Sequence, residues 1–210
     1  MHVLMFGATE RIGKVAVEYA LGAGHQVTVL LPPKATFDVH HLHLTRVEGD
    51  IARSDSLVIP MMSEVDAIVN AIGSDISAAK AGHVTGAARI ILAAMGRYGV
   101  KRYLGVTACT ALRALNWWGG LTQQVFRLSP TRAALQDHDR AAALVRGSKL
   151  EWTLAAVPAV RTGARTGEYR VSAEGFPGGW RRISVQDVAD FLVRELVRKR
   201  YPNQAVGVWY

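Results

Sequence analysis

The chain has 210 residues, of which half are hydrophobic and a fifth charged, and its formal net charge is +8. That length supports one sizeable core, and the composition excludes a disordered or low-complexity protein. No apolar run reaches the roughly 18–20 residues that span a bilayer. The single cysteine, Cys109, excludes an internal disulfide and a cysteine-based zinc site.

The N-terminus reaches Gly7 without the basic start and long apolar stretch of a secretory signal, so a cytoplasmic protein is expected. Residues 2–6 read as a strand and 11–23 as a helix with Ile12, Val15, Ala16 and Tyr19 on one face. Residues 26–31 form an apolar, β-branched second strand that ends at Pro32-Pro33, and 42–47 a third, before Gly49-Asp50. A short helix is expected at 54–62, a strand at 66–71, a long helix at 77–98 capped by Gly99, and a strand at 101–106. Residues 107–130, with Trp117-Trp118-Gly119-Gly120, read as a long irregular connection. A helix follows at 131–146, then a strand at 150–157 stopped by Pro158. Residues 161–180 read as loops with a short strand near 169–171, followed by a helix at 184–200 and a last strand at 205–209. Repeated strand–helix alternation with near-continuous apolar strands predicts a Rossmann-type, doubly wound α/β fold in a single domain.

Gly7-Ala8-Thr9-Glu10-Arg11-Ile12-Gly13 lies between the first strand and the first helix, the context that a dinucleotide fingerprint requires. Gly7 permits a tight turn, Gly13 lets helix and strand approach closely, and the free amides of the helix start can hold a pyrophosphate. Glu10 stands where a glycine normally lets backbone approach the phosphates. A carboxylate about 6 Å from a phosphate charge costs a few kcal/mol at an effective dielectric near 20, or around two decades of affinity. Arg11 beside it could offset this, or Glu10 could turn out to solvent. The end of the second strand carries no acid for a ribose hydroxyl. It carries Lys34 instead, which could meet a 2′-phosphate, so NADP is mildly favoured over NAD.

These blocks, with Gly24-His25-Gln26-Val27, Asp66-Ala67-Ile68-Val69, Gly99-Val100-Lys101-Arg102, Asp137-His138, Ser148-Lys149-Leu150-Glu151-Trp152-Thr153, Thr166-Gly167-Glu168-Tyr169 and Ile183-Ser184-Val185-Gln186-Asp187, resemble the atypical short-chain dehydrogenase/reductases. The likeness is to the NmrA-like group and its small members of the biliverdin reductase B and NAD(P)H-flavin reductase type. It implies a pyrophosphate at Gly7 and Thr9 to Gly13, and an adenine beside Asp50 and Ile51. It further implies a ribose beside Ala71, Ile72 and Gly73, and a nicotinamide beside Thr107, Pro158 and Ala159, with His138 near. The chain departs from that pattern at Glu10, at Ala108 where a serine would follow the fifth-strand threonine, and at Ala159 where a histidine would follow the proline. It also lacks a Tyr-x-x-x-Lys pair.

Other candidate features have bland explanations. His40, His41 and His43 lack a third ligand at suitable spacing, so no metal is expected. His138, flanked by Asp137 and Asp139, is the candidate proton donor, against the alternative of a surface histidine on a polar face. Cys109 could be reactive if its pKa were lowered, but reads as filler. Trp117 and Trp118 could wall a flat substrate, or pack on the core or a partner subunit. The basic cluster Arg194, Arg198, Lys199 and Arg200 reads as a helix end rather than a nucleic-acid surface. No membrane partner is expected, and the oligomeric expectation is a monomer or small homo-oligomer.

The leading functional expectation is an NAD(P)H-dependent oxidoreductase that passes hydride to a flat conjugated acceptor such as a flavin or quinone, with Thr107 positioning the nicotinamide. The alternatives are a dinucleotide sensor that performs no redox step, or a cofactor-free cyclase or isomerase on the same fold.

Overall fold

A computed structural model describes residues 1–51, 61–62, 64–75 and 82–210, and within these it leaves out the side chains of residues 126 and 127. The helix expected at 54–62 and the first turns of the one expected at 77–98 lie largely outside the described residues. The elements in chain order are β1 (His2–Phe6), α1 (Arg11–Gly22), β2 (Gln26–Leu31), β3 (Leu44–Glu48), β4 (Ala67–Asn70), α2 (His83–Tyr98), β5 (Arg102–Ala108) and a 3-10 turn (Cys109–Ala111). They continue with α3 (Trp117–Leu128), α4 (Arg132–Arg146), β6 (Glu151–Val157), β7 (Ala159–Arg161), β8 (Arg170–Ser172), β9 (Arg182–Ser184), α5 (Val185–Arg198) and β10 (Gln204–Trp209).

The main sheet has the order β3-β2-β1-β4-β5-β6-β10-β8, parallel except for the antiparallel pair of β10 with β8. The chain winds outward from β1 to β3, then returns to place β4 on the other side of β1. The β1/β4 boundary is therefore the topological switch point, where a crevice opens at the strands' C-terminal ends. Alternation along each strand sorts the side chains into two layers. Val3, Met5, Val69, Leu104 and Val106 face α1 and α5, whereas Leu4, Phe6, Ile68, Tyr103 and Leu154 face α2 and α4. In α1 the buried stripe is Ile12, Ala16, Val17, Ala20 and Leu21, and Val15 and Tyr19 pack at its margin.

Two regions differ from the sequence expectation. The connection after β5 contains a full helix, α3. A two-stranded parallel sheet, β7 with β9, branches off beyond β6. Asp187, in the first turn of α5, is fully buried. Ser184 Oγ caps α5 by accepting the Asp187 amide at 3.0 Å, while the Asp187 carboxylate accepts Thr166 Oγ1 at 2.7 Å, the amides of Thr166 and Gly167 at 2.9 Å each, and the hydroxyl of Tyr210. Burial alone would raise the carboxyl's pKa, but the hydrogen bonds from Tyr210, Thr166 and Gly167 outweigh it and hold the group below its ordinary value. A carboxylate with a depressed folded-state pKa stabilises the fold above its unfolded pKa, and that contribution is lost as pH falls through the folded value. Asp187→Asn is therefore expected to cost about 2–4 kcal/mol near neutral pH. The gap to wild type, measured by urea unfolding, should shrink below about pH 4; a pH-independent gap would show that the charge has no part in it.

Candidate functional site

The crevice at the switch point is built around two glycines. Gly7 turns the chain at φ +75°, and a Cβ there would lie 2.6 Å from the Ile72 amide nitrogen and 2.7 Å from the Ala71 carbonyl carbon. A Cβ on Gly13 would lie 2.0 Å from the Gly7 carbonyl oxygen. Both positions bring backbone against backbone where a side chain cannot fit, so β1, β4 and the start of α1 meet closely. Ile12 is buried in the core, and Arg11, Ile12 and Gly13 form the first turn of α1.

A cleft of about 240 Å³ opens beside this loop, lined by Gly7, Thr9 and Glu10, by Pro32 and Pro33 after β2, by Asp50 and Ile51 after β3, and by Ile72 and His83. Six of the expected cofactor residues thus come together: Gly7, Thr9, Glu10, Asp50, Ile51 and Ile72. Pro32, Pro33 and His83 are additions. The prolines' place follows from the pairing of Leu31 with Glu48, which sets the ends of β2 and β3 side by side. Lys34 follows directly on Pro33 but is not part of the cleft wall; its turn is held by its amide donating to Glu48 Oε1 at 3.0 Å. Ala71 is buried, with its amide on the Phe6 carbonyl at 3.0 Å. Thr107, Pro158 and Ala159 sit at the C-terminal ends of β5 and β6, outside this cleft.

Glu10 takes neither of its two expected courses. Its backbone is the N-cap of α1, yet its side chain makes no cap hydrogen bond to that helix. The carboxylate instead crosses the switch point. It accepts the Gly73 amide at 2.7 Å, Ser74 Oγ at 2.9 Å and the Asp75 amide at 3.0 Å. Arg11 turns the same way, with Nε 3.6 Å from Asp75. The amides that begin α1 are therefore not sealed by this carboxylate, but the path from α1 to the end of β4 is strapped by it.

The same short loop is held from the other side. His138 Nε2 donates to the Gly73 carbonyl at 2.9 Å, and its neighbour Asp137 accepts the amides of Val84 at 2.9 Å and Thr85 at 3.3 Å, tying α4 to the start of α2. His138 is not a surface residue: it is 1% exposed. Burial pushes its pKa down, against the opposing pull of the Gly73 carbonyl and the nearby acids. The Nε2 proton is engaged by the Gly73 carbonyl, and the ring is not part of the cleft wall, so the geometry argues against His138 as an acid. Its Nδ1 and the Thr107 Oγ1 are buried and, among the described residues, without a hydrogen-bond partner. Thr107 shares strand parity with Tyr103, so it faces the same layer as α4.

The remaining candidates lie apart. Cys109 is buried and its thiol is pushed up to about 12 by desolvation, which makes it inert filler. His41 and His43 precede β3, with ring centroids 5.5 Å apart. Among the described residues no group of three His, Cys, Asp or Glu is placed to hold a metal, and no helix is long and apolar enough to cross a membrane.

The residues at the switch point fit a nicotinamide dinucleotide in part. The glycine turn, the helix start that carries no Glu10 cap and the Pro32–Ile51 cleft suit an adenosine with its phosphates. The cleft is smaller than the roughly 300–1,000 Å³ of a complete ligand pocket, so it accommodates one half of the molecule. Glu10 is the residue that opposes the fit, at the crossing to the other half.

Comparison with known proteins agrees with that geometry. Residues 7–199 match a family model described as NAD(P)H-binding. A candidate exported protein from Burkholderia pseudomallei is 24% identical, with a TM-score of 0.82 over 100% of both chains. A candidate NADH-flavin reductase from Streptococcus pneumoniae is 19% identical, with a TM-score of 0.78 over 100% of this chain and 99% of that one. A short-chain dehydrogenase/reductase from Veillonella parvula, solved in complex with NADP, is 15% identical, with a TM-score of 0.76 over 99% of this chain and 93% of that one. At these identities the likeness is one of fold.

Proposed function

The chain belongs to the NAD(P)H-binding family, and from that premise we propose that it is a reductase that uses NADPH or NADH to reduce a flat, conjugated acceptor of the flavin or quinone type. The observation that carries this is the glycine-turned helix start beside the Pro32–Ile51 cleft at the switch point. When bound, the dinucleotide would supply the hydride. The chain's own residues bind and orient. The amides of Arg11, Ile12 and Gly13 face the pyrophosphate, and Thr9 lines the cleft next to them. Pro32, Pro33, Asp50 and Ile51 enclose the adenosine, and Lys34 favours the 2′-phosphorylated form. Ala71, Ile72 and Gly73 border the crossing. Thr107, with its spare buried hydroxyl, and Pro158 with Ala159 flank the nicotinamide end. His138 fixes Gly73 rather than moving a proton, so the acceptor takes its proton from solvent, as flavins and quinones can.

The fitting assay mixes the protein with NADPH or NADH and a panel of flavins and quinones, and follows loss of the reduced nicotinamide's near-ultraviolet absorbance. Turnover with at least one acceptor is expected, faster with NADPH. Absence of turnover across the panel, with dinucleotide binding intact, would favour the second reading, a non-redox dinucleotide sensor. The Glu10 strap and the burial of His138, whose Nε2 is engaged by the Gly73 carbonyl, are the observations behind that alternative.

A further inference from the structure

Helix α3 is built inside out. It packs inward through Gly119, where a Cβ would lie 2.9 Å from the Phe176 carbonyl oxygen, and through the buried Gln123, whose Nε2 donates to the Leu112 carbonyl at 2.9 Å. Its opposite side carries Trp117, Trp118, Leu121, Val125 and Leu128, spaced as one helical stripe. All five are exposed, from 49% at Leu121 to 82% at Leu128, and the two indole rings stack on each other at 4.1 Å rather than on the core. Trp180, 82% exposed, follows two residues after Gly178, which packs against Gly119. A contiguous exposed apolar stripe of this kind marks an interaction surface.

The charge around it narrows the partner. From Ala111 to Gln136 the sequence holds Arg113, Arg127 and Arg132 and no acidic residue, within a chain of net charge +8. Arg113 and Arg132 are exposed. A second copy docked face to face would bring like charges together. An anionic surface would be matched by them, and aromatic and aliphatic side chains on one side of a helix flanked by arginines are the chemistry of the membrane interface. We infer that α3 is an interfacial helix that seats the protein on an anionic phospholipid surface, with the stripe in the acyl boundary and Arg113 and Arg132 at the headgroups. Because Gln123 ties α3 to the carbonyls of Cys109 and Leu112 just beyond β5, the docked face lies beside the C-terminal edge of the sheet, on the acceptor side. The docking itself does not rest on the redox reading.

The test is co-flotation of the full chain with vesicles of phosphatidylcholine alone and of phosphatidylcholine with about 30% phosphatidylglycerol. Flotation is expected with the anionic vesicles, at least about tenfold above the neutral ones, and weakened by salt. Leu121→Gln with Val125→Gln should lower it roughly tenfold, and Arg113→Glu with Arg132→Glu should lower it by more. Thermal melting and dinucleotide affinity should stay at wild-type values in both, because neither pair touches the core or the cleft. No flotation, equal flotation with neutral vesicles, or flotation that survives both pairs would overturn the assignment. So would a lipid-independent dimer abolished by Leu121→Gln with Val125→Gln, which would make the stripe a protein interface.

Discussion

Replacing Glu10 with glycine is expected to tighten NADPH binding by roughly 10- to 100-fold, the equivalent of about 1.4–2.8 kcal/mol at an effective dielectric near 20. Two effects act together. The carboxylate is an anion beside the path proposed for the phosphates, and it ties up the amides of Gly73 and Asp75 and the Ser74 hydroxyl. Glycine itself is acceptable at the position, whose φ of −83° and ψ of 157° are ordinary N-cap values and where glycine is among the better caps. The strap's loss leaves its donors to water, so the free variant should be less stable by about 1–3 kcal/mol, or roughly 2–4 °C of Tm per kcal/mol. Glu10→Gln separates the two effects, since it removes the charge but keeps the length. Calorimetry on the three proteins reads the result: a gain shared by both variants identifies charge, a gain confined to glycine identifies obstruction, and Kd values within about twofold of one another would refute the role given to Glu10.

The second large effect is expected at Gly13. A methyl there would lie 2.0 Å from the Gly7 carbonyl oxygen, 2.7 Å from its carbon and 3.1 Å from the Ala8 Cα, all backbone atoms of the turn itself. No side chain can swing away to make room, so α1 must retreat from β1. Gly13→Ala should cost about 2–4 kcal/mol and weaken dinucleotide binding more than about tenfold, because the displaced amides are those proposed to face the phosphates. Gly22, at the other end of the same helix, is the control. A Cβ there meets nothing within 4 Å, so Gly22→Ala should be neutral or stabilising by about 0.5–1 kcal/mol. Urea unfolding of the pair checks this, and equal effects at both positions would show that the close approach at Gly13 carries no energy.

The parts of the molecule that were legible in its sequence are those governed by local rules. The β1–loop–α1 unit, the near-continuous apolar strands and the helix ends at Gly99 and Ser184 follow from periodicity and from turn and cap chemistry over a few residues. Glu10's destination was not legible, because its partners stand 63 to 65 residues away and only the sheet order brings them near. His138 between two aspartates looks like surface, but Asp137 turns inward to cap α2 and takes the ring with it. Helix α3 was hidden by Gly119-Gly120 and by an apolar stripe that faces outward, the reverse of the pattern that announces a packed helix. Strands β7 and β9 have three residues each and exist only through long-range pairing.

The most direct test of the account is a crystal structure of the chain with saturating NADPH. Phosphate density is expected against the amides of residues 11–13, adenine between Pro32 and Ile51, and the Glu10 carboxylate released from Gly73, Ser74 and Asp75. Crystals in which that carboxylate keeps all three donors, with the helix start and the cleft free of ligand at the same NADPH concentration, would contradict it.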